Sequence, residues 1–263
     1  MPRWKWTRLS LFSPLDRLIV SPPDPVRVGW LREWTYAHRG LHGEGVPENS
    51  LAGYALAAGR GLGIECDIQR SRDGCAMLVH DWELDRLTGV HGPLADHSAE
   101  ELAQIAFLDS EHKLARLDDL LPVLDGQVPI LIEIKSRRGY EVKRSCRAVA
   151  KALEGYAGKH AVMSFDPRVC VWFGKHSPQT VRGLVMREDE VGMTQKPWQR
   201  HVALWAARPE FIAYHVLALP NPMVAVLRAR GMPVLTWTVN SAETRRTGEA
   251  HADALIAEGD GLA

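Results

Sequence analysis

The chain has 263 residues, with 32 Lys+Arg balanced by 32 Asp+Glu, 46% hydrophobic and 24% charged. Zero formal charge argues against nucleic acid as the main partner, since phosphate-backbone binding leaves a basic excess; the composition is that of a folded globular protein. The longest stretch free of Asp, Glu, Lys and Arg, Phe211–Leu227, is interrupted by Pro220-Asn221-Pro222, whereas a membrane-spanning helix needs roughly 20 uninterrupted apolar residues.

The first twenty residues carry basic side chains early but lack an apolar core followed by a small-residue cleavage site, so a cytoplasmic protein is expected. Cys66, Cys75, Cys146 and Cys170 are scattered without CxxC spacing, which predicts reduced, mostly buried thiols. Trp4, Trp6, Leu9, Leu11 and Phe12, beside Arg3, Lys5 and Arg8, offer a weak peripheral membrane contact; packing of this arm on its own domain is the alternative. The Pro-rich Ser21–Pro25 separates an N-terminal arm, residues 1–34, from a main body, residues 35–263.

From residue 35, short β-branched or apolar runs alternate with helical patterns. Strands are predicted at Tyr36–Arg39, Gly63–Gln69, Met77–His80, Ile130–Lys135, Ala161–Phe165, Val181–Val185, Phe211–Tyr214, Val234–Val239 and Ala254–Ile256. Helices are predicted at Leu51–Arg60, Tyr140–Gly155 and Asn221–Arg230, among others. Sustained strand–helix alternation indicates a parallel sheet, and about eight units in this length favour a closed (β/α)8 TIM barrel. The open doubly wound alternative lacks a Gly-rich fingerprint after its first strand.

Charged residues inside two buried strands need an explanation. Glu65 and Asp67 in Gly63–Ile68 are two apart and share one face, as do Glu133 and Lys135 in Ile130–Lys135; Ile64, Cys66, Ile68, Ile132 and Ile134 then face the helices. Three carboxylates and a lysine in one interior are costly unless compensated or metal-bound, and an all-oxygen set suits Mg2+ or Ca2+. A purely structural ion-pair network is the alternative. His38 ends the first strand and His80 another, so both imidazoles are expected at the C-terminal mouth of the barrel, where a pair supplies base and acid near neutral pH. Arg39 adds a fork suited to a phosphate oxygen. Together these residues suggest phosphoryl chemistry.

These motifs also carry a resemblance. His38-Arg39-Gly40, Pro47-Glu48-Asn49-Ser50, Glu65-Cys66-Asp67, Asp73-Gly74, His80-Asp81, Glu133-Ile134-Lys135 and Trp237-Thr238-Val239 follow one another as in the glycerophosphodiester phosphodiesterase family, which the sequence resembles over roughly residues 35 to 259. The resemblance implies a (β/α)8 barrel that hydrolyses small-molecule glycerophosphodiesters to an alcohol and glycerol 3-phosphate with a divalent metal. It implies Glu65, Asp67 and Glu133 as metal ligands, His38 and His80 as the acid–base pair, and Arg39 and Lys135 as phosphate contacts. Glu48 and Asn49 would support the site, helix capping being the other use for Asn49. Trp237 would wall the substrate pocket, or serve as barrel packing.

The last strand, reading Ala252–Gly259, departs from the family's pattern, and Glu258 is left outside the catalytic set. The insertion Trp82–Leu114 is expected to form a small cap over the mouth. His215 also ends a strand, with no assigned role. Lysophospholipase D chemistry and a catalytically silent binding barrel are the competing readings.

Overall fold

Nine segments of extended backbone account for the sheet of the computed structural model, which describes residues 13–189 and 194–263. They are β1 (Tyr36–Ala37), β2 (Gly63–Arg70), β3 (Ala76–Leu78), β4 (Ile130–Ile134), β5 (His160–Ser164), β6 (Val181–Met186), β7 (Phe211–His215), β8 (Val234–Val239) and β9 (Ala254–Ala257). Every neighbouring pair is parallel except β2–β3. Leaving β3 aside, eight strands run in the order β1-β9-β8-β7-β6-β5-β4-β2, and β1 pairs with β2 to close the ring. This is the (β/α)8 barrel expected from the alternation.

The alternation of side chains sorts the core into two layers. Ile64, Cys66, Ile68, Ile132 and Ile134 point outward and pack with Tyr54, Leu117, Leu120, Leu124 and Val149 of the surrounding helices. The opposite faces of the strands fill the barrel with Tyr36, Leu131, Met163, Phe211, Leu235 and Ile256. Trp30 and Leu31, just before β1, join that interior cluster and close its floor.

The helices begin where a side-chain oxygen can satisfy their first N–H groups. Ser50 accepts from Gly53 N at the start of Leu51–Gly59, Asp166 from Arg168 N before Pro167–His176, and Asn221 from Met223 N before Pro222–Ala229. The helix expected over Tyr140–Gly155 occupies Val142–Ala152.

The segment Met77–His80 requires a correction. Its strand is Ala76–Leu78, it runs antiparallel to β2, and His80 lies two residues past its end. The cause is the polar turn Ser71–Gly74: Ser71 Oγ donates to Asp73 Oδ1 and accepts from Cys75 N, and Gly74 adopts φ +95. The chain folds back on β2 there, so this strand belongs to a hairpin and not to the parallel ring. The insertion that follows has its own apolar centre of Leu84, Leu94, Leu102, Phe107 and Leu114 beside Met77 and Val79.

Among the described residues no helix is long and apolar enough to cross a membrane. Trp4, Trp6, Leu9, Leu11 and Phe12, with Arg3, Lys5 and Arg8, lie outside the described residues. All four cysteines are free thiols, and Cys66, Cys146 and Cys170 are buried.

Candidate active site

Barrel register brings the acidic residues together. Asp67 of β2 lies opposite Glu133 of β4, and Glu65 sits on the same face of β2 one pleat below. Glu65, Asp67 and Glu133 each place a carboxylate oxygen within 4.8 Å of the others, and all three are buried. Their compensation is uneven. Lys135 Nζ bridges Asp67 Oδ1 at 2.7 Å and Glu133 Oε1 at 2.6 Å, and Arg39 Nε lies 3.1 Å from Asp67 Oδ2. Burial pushes the Asp67 carboxyl up, but Lys135 and Arg39 outweigh it and hold the group well below the usual range. Among the described residues Glu65 receives only the Arg39 backbone N–H, at 3.1 Å. Burial and the neighbouring Asp67 push its carboxyl up. A buried carboxylate with one donor, converging with two others, fits a hard divalent cation, which would neutralise the excess.

The loop after β1 supports this cluster. His38 N still donates to Ala257 O at 2.8 Å, after which Gly40 turns the chain at φ +80; a Cβ there would meet Gly53 C at 2.9 Å. Arg39 Nη1 donates to Glu48 Oε1 at 2.8 Å. Asn49 donates from Nδ2 to Asp67 Oδ2, and its Oδ1 accepts from Asp67 N and Tyr54 Oη. Asn49 therefore braces Asp67, while the cap of the following helix is Ser50. Arg86, from the insertion, forks onto Glu48 at 2.7 and 3.1 Å and also pairs with Asp81.

Each imidazole is held through Nδ1 by a carboxylate: His38 by Glu258 Oε2 at 2.5 Å, His80 by Asp81 Oδ1 at 2.6 Å. Among the described residues neither Nε2 bonds another protein group. The two environments differ. For His38, burial lowers the basicity, but the Glu258 hydrogen bond and the nearby Glu65 reverse this and leave it raised. For His80, burial and the Lys135 charge lower it. His80 reaches the mouth by the return leg of the hairpin, with Gln69 Nε2 fixing its carbonyl at 3.0 Å. Both histidines thus arrive at the predicted place, one of them by a different route.

A cavity of about 580 Å3 opens here, lined among others by His80, Glu133, Lys135, Trp82, Phe165 and Arg187. Trp237 packs edge-on against Phe165 with ring centroids 5.4 Å apart, and its Nε1 donates to Ala213 O. His215 lies against Trp237, centroids 4.9 Å apart. Arg187, after β6, lines the cavity and pairs with Asp189; no sequence motif singled it out. Glu258, which no sequence motif places in the catalytic set, directly follows β9, the strand that closes onto β1.

A profile of the glycerophosphoryl diester phosphodiesterase family matches residues 38–258. The glycerophosphodiester phosphodiesterase of Caldanaerobacter subterraneus is 28% identical over 84% of this chain and 92% of its own length. Glycerophosphodiester phosphodiesterase 1 of Bos taurus is 25% identical over 93% and 82%. In fold, an Oleispira antarctica phosphodiesterase solved with the product sn-glycerol-3-phosphate aligns at TM-score 0.74, covering 85% of this chain and 92% of that one at 23% identity. The matched span begins at His38 and ends at Glu258, the two residues that meet where the barrel closes, and the chain belongs to the glycerophosphoryl diester phosphodiesterase family and is a phosphoric diester hydrolase.

Proposed function

We propose that the enzyme hydrolyses glycerophosphodiesters to an alcohol and sn-glycerol 3-phosphate, with His38 and His80 dividing the acid and base roles. The observation that carries this is the pair of imidazoles, each fixed at Nδ1 by its own carboxylate, at the mouth that holds the buried trio. Glu65, Asp67 and Glu133 would hold Mg2+ or Ca2+, which when bound neutralises charge developing on the phosphoryl oxygens.

Because Glu258 and Asp81 accept from Nδ1–H, a neutral ring keeps its lone pair at Nε2. One histidine takes the proton of the attacking hydroxyl at that atom. The other, as imidazolium, gives its proton to the departing alkoxide. Arg39 and Lys135 present fixed positive charge to the phosphate, and Glu48 and Asn49 keep Arg39 and Asp67 in place. Phe165 lines the cavity, and Trp237, packed edge-on against it, backs that wall. The attacking group is the substrate's own hydroxyl, next to the phosphorylated carbon: tethered so close to phosphorus, it has an effective molarity on the order of 10⁵ M or more. The product of that step is a five-membered cyclic phosphate, which water opens in the second.

We assign catalysis to residues 35–263, with 1–34 as an arm whose Trp30 and Leu31 complete the barrel floor. Free, mostly buried thiols support a cytoplasmic location.

The test is release of glycerol 3-phosphate from soluble glycerophosphodiesters and one lysophospholipid, beside an analogue lacking the glycerol 2-hydroxyl. The soluble diesters should be cleaved, and the analogue should compete for the site yet remain intact. No product from any substrate would defeat the functional reading. Cleavage of the analogue near the parent's rate would defeat internal attack alone.

A further inference from the structure

Glu258 serves two histidines. Its Oε2 meets His38 Nδ1 at 2.5 Å, and His42 Nε2 lies 3.5 Å from the same oxygen. At that distance His42 makes an ion-pair approach but no formed hydrogen bond. Its Nε2 is buried and, among the described residues, has no hydrogen-bond partner. A buried ring nitrogen with nothing bonded to it, aimed at a carboxylate already engaged by another imidazole, is an incomplete arrangement. The three side chains each offer a ligand atom, all within 4.8 Å of one another.

The backbone holds this geometry firmly. Leu41 N donates to Gly53 O at 2.9 Å, and Gly43 and Val46 exchange both backbone hydrogen bonds at 3.0 and 3.1 Å. The tight turn at Gly40 is what brings His42, two residues on, back beside His38. A cavity of about 460 Å3, lined by His42, Glu44, Glu258 and Asp260 among others, opens against the cluster, so water can complete a coordination shell.

We propose that His38, His42 and Glu258 form a second metal site, specific for a borderline cation of the zinc class, whose occupation switches the enzyme off. Two imidazoles and one carboxylate with an open position are a zinc ligand set; with bonds of about 2.0–2.2 Å, tetrahedral donors stand about 3.3 Å apart, so the 3.5 Å contact of His42 already matches, and the 2.5 Å hydrogen bond of His38 opens by about 0.8 Å as the metal replaces its proton. The Glu65, Asp67 and Glu133 trio, all oxygen, prefers Mg2+ or Ca2+, so the two sites sort cations by ligand type.

Inhibition follows from one atom. The metal takes the Nδ1 lone pair of His38, so the ring's proton must move to Nε2. That nitrogen then has no lone pair with which to accept a proton. As a donor it is a neutral N–H, far weaker an acid than imidazolium. Glu258 is drawn to the metal at the same time. Whichever role His38 plays, it is lost. This consequence rests on the phosphodiesterase reading above; the site itself does not.

The experiment titrates the full chain with Co2+ in excess Mg2+, reading the visible d–d bands of a low-coordinate site, and separately measures activity in Mg2+ against buffered free Zn2+. Wild type should bind one Co2+ with such bands and lose activity reversibly as Zn2+ rises. His42→Ala, and the near-isosteric His42→Gln, should retain Mg2+-supported turnover and lose the bands. Their half-inhibiting Zn2+ should rise at least about tenfold, the lower end of what disturbing a metal site costs. Unaltered bands, or unaltered zinc sensitivity, in both variants would overturn the proposal. An absence of turnover in wild type would count against the phosphodiesterase reading, and the Co2+ titration would still decide the site.

Discussion

At the residue scale, Glu258 makes the difference between a histidine at the mouth and an oriented one. Its hydrogen bond to His38 holds its own carboxyl well below the ordinary range and raises the imidazole, which burial alone would lower. Glu258→Gln keeps the size and removes the charge. We expect kcat to fall at least about 10- to 100-fold, the loss seen when the carboxylate behind a metal-bound imidazole is removed, and up to about 10⁴-fold if the ring takes the wrong tautomer. The sign of the pH effect follows: without the carboxylate, burial prevails, and the limb of the rate profile governed by His38 moves to lower pH. A limb that stays in place while kcat falls would reduce Glu258 to a packing role. This contact was not legible in sequence, because its partners are 220 residues apart and meet only through ring closure. By contrast Glu65, Asp67, Glu133 and Lys135 were legible: charge at alternate positions of a buried strand has few harmless explanations.

At the scale of elements, the strands were readable because apolar runs in a parallel barrel are bounded by turns, and the register did the rest. The exception is β3. Its three residues carry no mark of direction, and the signal for the hairpin lay in Ser71-Arg72-Asp73-Gly74, whose Asp73 also accepts from Ala99 N at 2.9 Å and ties the turn to the insertion. The insertion reaches back in the same way through Arg86 to Glu48 and Asp81. Register has an energetic counterpart at Gly183 of β6, which lies beside Phe211 of β7. A Cβ at Gly183 would stand 2.2 Å from the Phe211 ring, which is fully buried in the barrel interior. An aromatic ring packed on all sides cannot step aside cheaply, so Gly183→Ala should destabilise the fold by roughly 1–3 kcal/mol. Urea unfolding would show it as a lower midpoint at an unchanged slope. An unshifted midpoint would mean that the interior has slack at this level.

At the scale of the whole molecule, the mouth concentrates unfavourable charge that the rest of the barrel must hold in place. Lys135 and Arg39 offset part of it, and among the described residues Glu65 is left with a single backbone donor. A cation that binds this folded cluster and ignores the unfolded chain must stabilise the native state by mass action, about 2.7 kcal/mol at a hundred times its dissociation constant. A chain of this size gains roughly 2–4 °C in Tm per kcal/mol, so saturating Mg2+ or Ca2+ should raise Tm by about 5–10 °C over chelated protein. Asp67→Asn separates this from a general salt effect. The amide removes one negative ligand while Asn49 and Lys135 remain beside it, so the variant should lose most of the cation-dependent rise. Its Tm in chelator should fall as well, because Lys135 and Arg39 lose the buried charge they pair with, so the quantity to compare is the cation-dependent rise within each protein. Scanning calorimetry of both proteins, with chelator and with each cation, gives the six values needed. If wild type gained nothing from either cation, or if Asp67→Asn gained as much as wild type, the buried trio would have to be understood as an ion-pair network completed by Lys135 and Arg39 alone.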